Sequence, residues 1–524
     1  MSLASHTRNW PLRVLQWRLP TRLQGRPYPY LAALFSVLFY YGKNPNEATI
    51  TSLVFVIAVV FLICFLLFAI LGLVIKNKDR RSFLAFIILI PLLNYGELWD
   101  VAEAHFSSQI MGSHLFPLSM AVMVVMGIIA ALVPKYFSPR LSQILTVAML
   151  SLLASGMISI VQSLHQAKQQ EDSLVIKPLS PGQLKPDIYY LIFDEYSGPV
   201  ALQKLYGYDD SGLLNNLKSQ GFYVADQSTS NYYGSLNSIS STLNLQYLNV
   251  LAARAGATNT NQQLLRNLLE NNRLILELQS VGYEYYHLGS WWGPTQGNQN
   301  SVRAYYSDVP LGYPPFLFHY LSETTILSPI IQRFFPSFDR KIVGEQMNSL
   351  QEVAAIRTAP KLVFAHFLIP HGPYVYNAQC QPLLNSVSDG DAGTANAAAV
   401  YVYLDQLTCT NQIIEKTVQN LKGVAPKDSI IVVQSDEGEE LSYPNPVSTS
   451  SSPQSFLSKF PILNAVYFPD QNYAQLSPTI TPVNTFRIIL SQYFGADFPL
   501  LPDQNRIIAP EGPIIVTDEV RQAM

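Results

Sequence analysis

Two short stretches of the 524-residue chain set acids directly behind apolar runs of strand character. DIYYLIFDEYSG (187–198) carries Asp194 and Glu195 after its run. IIVVQSDEGEE (430–440) carries Asp436, Glu437, Gly438, Glu439 and Glu440. A third run, KLVFAHFLI (361–369), holds His366 and is followed by Pro370 and His371. A fourth, GFYVAD (221–226), leads through STSNYYG to Ser235 at the start of a helical segment. A polar residue at one strand end is ordinary, because strands end in water. Two carboxylate pairs, a histidine and a hydroxyl at a helix N-terminus, gathered at one sheet edge, suit a carboxylate–metal site with an activated nucleophile. A divalent cation lowers the hydroxyl pKa and holds an anionic oxygen, while the helix N-terminus offers N–H donors to the same anion. Glu439 and Glu440 read as charged surface. Gly438 reads as the residue that lets the backbone turn away from the acids.

The elements that must position these residues alternate. Strand-like blocks fall at 187–198, 221–226, 283–289, 361–369, 429–435 and 462–468, and helical spacing at 201–220, 235–253, 261–282, 397–421 and 482–494. Apolar strands alternating with amphipathic helices predict an α/β domain whose mostly parallel sheet is covered on both faces. Ligands of such sheets sit beyond the carboxyl ends of the strands, where the acids fall. The segment HLGSWWGP adds His287, Trp291 and Trp292 as residues that line a substrate pocket; the alternative is an apolar loop packed on the domain or against a bilayer surface. His366, inside its strand, reads either as a site residue or as a satisfied core histidine. Ser235 has two rivals nearby, Ser230 and Ser238, and an ordinary N-cap serine is the plain alternative.

The net charge of −3 gives no sign of a nucleic-acid binder. With 48% hydrophobic and 13% charged residues the chain is apolar for a soluble protein, and the excess sits in the first 165 residues. Apolar runs at 28–42, 51–75, 83–98, 115–134 and 141–162 predict five transmembrane helices, since a span takes about 20 apolar residues. Arg8, Arg13, Arg18, Arg22 and Arg26, the loop KNKDRR (76–81), and Lys135 with Arg140 fall on one side of such a chain, which is therefore cytoplasmic. The loop with Glu97, Asp100 and Glu103 lies opposite. This divides the chain into a basic N-terminus (1–28), a membrane domain (29–162), a linker (163–186) and an outside domain (187–524). Cys380 and Cys409 both fall outside, where disulfides persist, and are expected to pair, two buried free thiols being the alternative.

PDIYYLIFDEYSG, SNYYGSLNSISSTLNLQYL, YYHLGSWWGPT, FAHFLIPHGPYVY, VVQSDEGEE and PVNTFRIIL together resemble the alkaline phosphatase–sulfatase superfamily. The likeness is greatest to membrane-anchored, sulfatase-like proteins such as lipoteichoic acid synthase and the lipid A phosphoethanolamine transferases. It covers about 185–500, and the helical anchor matches too. It implies a bacterial cytoplasmic-membrane protein acting as transferase or hydrolase on a phosphoester outside the membrane, with a lipid or envelope glycan as substrate. It also implies one divalent metal ion (Mn, Mg, Ca or Zn), with Asp194, Glu195, Asp436 and Glu437 as ligands, Ser235 as nucleophile, and His371 at the substrate or leaving group. Three departures stand out. The late pair is Asp-Glu where these relatives have Asp-His, which favours harder cations over Zn. No histidine follows His371, which favours one metal over two. The Cys/Ser-x-Pro-x-Arg signature of formylglycine sulfatases is absent. A plain hydrolase and a non-catalytic envelope scaffold of the same fold are the rival readings.

Overall fold

The computed structural model describes residues 26–43, 50–96, 98, 121–122, 124–125, 127–129, 139–171, 179, 185–248, 262–290, 292–305, 317, 320–327, 337–387, 397–439, 441, 443–509 and 512–524. The chain forms two compact units, one of Met1–Phe39, Val54–Met157 and Thr324–Ile326, the other of Tyr40–Leu53, Ile158–Glu323 and Leu327–Met524.

The first unit is helical. Helices Tyr28–Lys43, Ile50–Val74, Lys78–Leu93 and Pro139–Glu171 fall on four of the five apolar runs, and the run at 115–134 lies largely outside the described residues. Among the described residues two segments, Leu53–Val74 and Arg140–Met157, are long and apolar enough to cross a membrane. The helices Tyr28–Lys43 and Lys78–Leu93 are 16 residues each as described, against about 20 for a span. Asn77 starts the second of these by accepting the N–H groups of Asp79 and Arg80. Tyr28, Ala32, Phe86 and Met149 pack together, and Arg26 pairs with Asp79.

The second unit is built on a seven-stranded sheet. Its strands are β1 (Ile188–Phe193), β2 (Tyr223–Val224), β3 (Glu284–Leu288), β4 (Arg303–Tyr305), β5 (Lys361–Phe367), β8 (Ile430–Gln434) and β9 (Asn464–Tyr467), in the order β2-β9-β8-β1-β5-β3-β4. The two-stranded pairs β6 (Tyr374–Tyr376) with β7 (Pro382–Val387) and β10 (Arg506–Ala509) with β11 (Gly512–Ile515) complete the set. Strands β8, β1, β5, β3 and β4 are parallel. Tyr189, Leu191 and Phe193 point to one face, with helices Pro199–Tyr206, Ser211–Ser219, Ser337–Ala355 and Ala397–Val424. Tyr190 and Ile192 point to the other, with helices Ser235–Leu243, Gln262–Glu270, Arg273–Ser280 and Pro482–Phe494. Burial on both faces explains the continuous apolar runs of β1 and β8.

The sheet is mostly parallel, as expected, but mixed at one edge. β9 runs antiparallel to β8 and to β2. A parallel return needs a crossover over a face of the sheet. β8 and β9 are instead antiparallel neighbours, which needs no crossover. The segment Lys459–Leu463 ties three loops together. Gly198 donates to Pro461 O at 2.8 Å, Ser230 to Phe460 O at 2.7 Å, and Gly438 to Lys459 O at 2.8 Å. Ser197 and Thr229 form bridges with Ile462 and Pro461. The helix expected at 261–282 is broken at Asn271–Asn272, where Asn272 caps Arg273–Ser280 by accepting from Ile275 N–H at 3.0 Å. The expected disulfide joins Cys380 to Cys409.

Candidate active site at the carboxyl edge of the sheet

Three neighbouring parallel strands bring the chemistry together. β1 lies between β8 and β5, and Ile192 stands level with both Gln434 and His366. Asp194 and Asp436 each follow two residues beyond Ile192 and Gln434, so both acids leave the sheet at the same height. Asp194, His366 and Asp436 are buried, and each offers one ligand atom within 4.8 Å of the others. His366 Nε2 lies 3.7 Å from Asp194 Oδ2 and 3.8 Å from Asp436 Oδ2. These distances exceed a hydrogen bond. His366 Nε2 and both Asp436 carboxylate oxygens are buried with no hydrogen-bond partner. A buried carboxylate left in that state is costly, so the donor set, two carboxylates and an imidazole, fits a divalent cation.

The electrostatics follow from the crowding. Burial, reinforced by the Asp194 carboxylate, pushes the Asp436 pKa well above the usual carboxylate range. Burial, with smaller pushes from His371 and His287, pulls His366 down to about 3, so its imidazole is neutral.

Ser235 opens the helix Ser235–Leu243 and is partly exposed, whereas its rivals Ser230 and Ser238 are buried. Its Oγ lies 3.4 Å from Asp194 Oδ1 and donates to Glu437 Oε1 at 2.9 Å. Glu437 Oε2 accepts the Gly234 N–H at 2.6 Å. Both Glu437 oxygens therefore grip the turn that carries Ser235, and the imidazole in the group of three comes from His366 on another strand. Glu195 also stands outside that group. Its backbone is left-handed (φ 57°), and its Oε1 lies 3.7 Å from His371 Nε2. His371 is partly exposed, and its N–H donates to Asp194 O at 3.2 Å.

Other residues differ from the sequence reading. Glu439, expected at the surface, is fully buried: Tyr206 OH donates to its carboxylate, and its N–H donates to Ser197 Oγ at 3.1 Å. Glu440 lies outside the described residues. Gly438 has no unusual φ; a Cβ there would meet Ser458 O at 2.0 Å, so glycine is required by space. His287, expected at the substrate, is buried with both ring nitrogens engaged, Nδ1 with Tyr285 OH at 2.7 Å and Nε2 with Thr295 O at 2.8 Å. Its imidazole supports the fold and offers a substrate nothing. Trp292 sets its ring edge-on to His366, with centroids 5.8 Å apart, and packs on the core; Trp291 lies outside the described residues.

Sequence reasoning missed Ser435, whose Oγ accepts from Tyr196 N–H at 2.9 Å and donates to Glu437 O at 2.7 Å, linking the two acid-bearing loops. It also missed Gln434, which joins Tyr190, Asn464 and Thr485. The available signal was two polar residues closing an otherwise apolar strand.

The sulfatase family model matches residues 204–488. That span begins just after Asp194 and contains Ser235, His366, His371, Asp436 and Glu437. No curated protein matches the chain. Among solved structures, the chain is similar to the integral membrane lipooligosaccharide phosphoethanolamine transferase A from Neisseria meningitidis (13% identity, 90% of this chain and 95% of that one, TM-score 0.43). It is also similar to the C-terminal periplasmic domain of EcEptC from Escherichia coli (13% identity, 65% of this chain and 96% of that one, TM-score 0.41). A third is the phosphonate monoester hydrolase of Agrobacterium radiobacter (12% identity, 61% of this chain and 75% of that one, TM-score 0.38). Because the family model spans more than half of the 524 residues, the chain belongs to the sulfatase family.

Proposed function

We propose that the outside domain is a divalent-metal-dependent enzyme that transfers or hydrolyses a phosphoester through Ser235. The observation that carries this reading is the position of Ser235 Oγ, 3.4 Å from Asp194 and 2.9 Å from Glu437, beside three buried ligand atoms within 4.8 Å of one another. Asp194, His366 and Asp436 would hold the ion, which when bound neutralises negative charge and lowers the pKa of a nearby hydroxyl. Ser235 Oγ attacks phosphorus and the bond to the leaving oxygen breaks. The serine proton passes to the Glu437 carboxylate, which already accepts it as a hydrogen bond. The Gly234 N–H on Glu437 holds the nucleophile turn in place, and the helix N-terminus favours the phosphoryl oxygens. His371, within reach of solvent and beside Glu195, gives a proton to the departing alkoxide. Water or an acceptor alcohol then attacks the phosphoserine and restores Ser235.

Two helical segments long and apolar enough to cross a membrane, and the arginines and lysines that a five-span chain would put on one side, support a membrane-anchored enzyme with its catalytic domain outside. The substrate would then be a lipid head group or an envelope glycan. Transfer and hydrolysis differ only in what resolves the intermediate, so product analysis with a head-group-labelled phospholipid separates them.

The test is Ser235→Ala alongside metal analysis. The wild-type protein is expected to bind about one divalent ion and to lose turnover of an aryl phosphodiester on chelation. Ser235→Ala is expected to lose about 10³-fold or more in turnover while keeping its fold. Unchanged turnover in Ser235→Ala would remove the covalent mechanism.

A further inference from the structure

The group of three needs His366 in one tautomer. A neutral imidazole carries one proton; if it sits on Nε2, that nitrogen has no lone pair for a cation. The turn His287–Thr295 decides the matter by hydrogen-bond polarity.

Thr295 is fully buried, and its Oγ1 lies 3.0 Å from His366 Nδ1. The same hydroxyl lies 2.8 Å from Ser290 Oγ. Ser290 Oγ lies 3.3 Å from Trp292 O and accepts the Trp292 N–H at 3.1 Å. The chain ends on Trp292 O, a carbonyl, which can only accept. The Ser290–Thr295 bond can run either way, and Ser290 Oγ also reaches Trp292 O as a donor. With Ser290 donating there, its oxygen accepts from Thr295, and Thr295 Oγ1, its single proton used, accepts from His366 Nδ1–H. That direction puts the His366 proton on Nδ1 and turns the Nε2 lone pair toward Asp194 and Asp436.

The rest of the turn holds this direction. Ser290 N–H donates to Thr295 O at 3.1 Å, and Thr295 N–H donates to Trp292 O at 3.0 Å. His287 Nε2 donates to the Thr295 carbonyl, so His287 Nδ1 accepts from Tyr285 OH. Gln346 Nε2 fixes the strand itself by donating to His366 O at 2.8 Å.

We infer that Ser290 and Thr295 form a one-way hydroxyl relay that holds His366 as the Nδ1–H tautomer, making Thr295 a positioning residue for cation binding by Asp194, His366 and Asp436. The inference rests on the proposed ion site, and the experiment separates the two. Full-length, metal-stripped protein in detergent is titrated with Mn²⁺, and free Mn²⁺ is counted by electron paramagnetic resonance. Thr295→Val removes the acceptor at constant shape. Ser290→Ala keeps the Thr295 hydroxyl but frees its proton for Nδ1, which moves the imidazole proton to Nε2. Both are expected to weaken Mn²⁺ binding by about 10- to 100-fold, as loss of a ligand's outer hydrogen bond does. Thr295→Ser restores the relay and is expected to bind as wild type. Histidine-selective ¹⁵N spectra of metal-free Ser290→Ala are expected to show the switched tautomer, which a merely structural role would not produce. If Thr295→Val does not fold, Ser290→Ala carries the test. Undiminished Mn²⁺ binding in Asp436→Asn overturns the ion site and the inference with it. Loss in Asp436→Asn with wild-type affinity in Ser290→Ala and Thr295→Val overturns the relay alone.

Discussion

Gly438→Ala is the smallest substitution that should disable the site without touching a polar group. The added Cβ would sit 2.0 Å from Ser458 O, 3.0 Å from Ser458 C and 3.1 Å from Lys459 C. All three atoms are backbone, and Ser458 and Lys459 are buried, so no side chain can swing aside. Reaching an ordinary contact of about 3.4 Å requires the loop to retreat by about 1.4 Å. Gly438 is anchored to Lys459 O, so the retreat breaks that bond and moves Glu437 and Asp436 with it. The 2.9 Å bond from Ser235 to Glu437 lengthens beyond hydrogen-bonding range. Overpacking of this kind costs about 1–3 kcal/mol, and a misplacement of about 1 Å at a reacting group costs about 10²-fold in rate. The assay pairs thermal melting and Mn²⁺ titration with turnover of an aryl phosphodiester. Gly344→Ala, where the added Cβ meets nothing within 4 Å, is the control and should leave all three unchanged or slightly raise stability. Wild-type turnover and Mn²⁺ affinity in Gly438→Ala would refute the view that this close approach fixes the acids.

Three further outcomes follow from the same geometry. Glu437→Gln keeps the shape but loses the charge that accepts the Ser235 hydrogen bond, and turnover is expected to fall about 10²-fold or more with the melting temperature little changed. Cys380→Ser opens a bridge between residues 29 apart and should cost about 3–4 kcal/mol, read as a lower melting temperature that reducing agent no longer changes. Burial pulls the His287 pKa down to about 4, whereas in the unfolded chain it titrates near 6.5. Between those values the unfolded state binds more protons, so the stabilisation is present above about pH 6.5 and is lost as pH falls to 4, by about 3 kcal/mol. His287→Gln should flatten the fall in melting temperature across that window; an unchanged slope would contradict it.

Six strands of the main sheet were legible because each is a short apolar run between turn residues, whereas β4 and the two small sheets were missed; the acids were legible because they break those runs. Asp194, Asp436 and Ser235 meet at the carboxyl edge as the strand pattern implies. The sequence reading failed where spatial relations, rather than local pattern, decide. Glu437 and His366 carry the residue types the site needs, but only the pairing of β5 with β1 shows that His366 brings the imidazole to Asp194 and Asp436, while Glu437 holds Ser235. Glu439 looks like surface in a run of acids and is buried because Ser197 and Tyr206 satisfy it. Thr295 is a plain threonine until β3 places it against β5. β9 has the same composition whichever way it runs, and its direction depends on the path of residues 435–463. The helix Ser337–Ala355 was missed because its apolar residues are interleaved with charges.

The segment Lys459–Leu463 contributes no side chain to the group Asp194, His366 and Asp436, yet three loops are measured from it. The loop after β1, the loop leading to Ser235 and the loop after β8 each dock on its backbone, and Gly198 and Gly438 lack side chains where they touch it or its neighbour Ser458. It works as a common datum: each of the three loops docks on the same backbone, in addition to the bonds that Ser435, Glu437 and Glu439 make between them. Such a fixture predicts a sharp contrast in tolerance. Residues 443–452 can gain or lose length with little effect, while a single residue inserted between 459 and 463 displaces the acids and the nucleophile turn together.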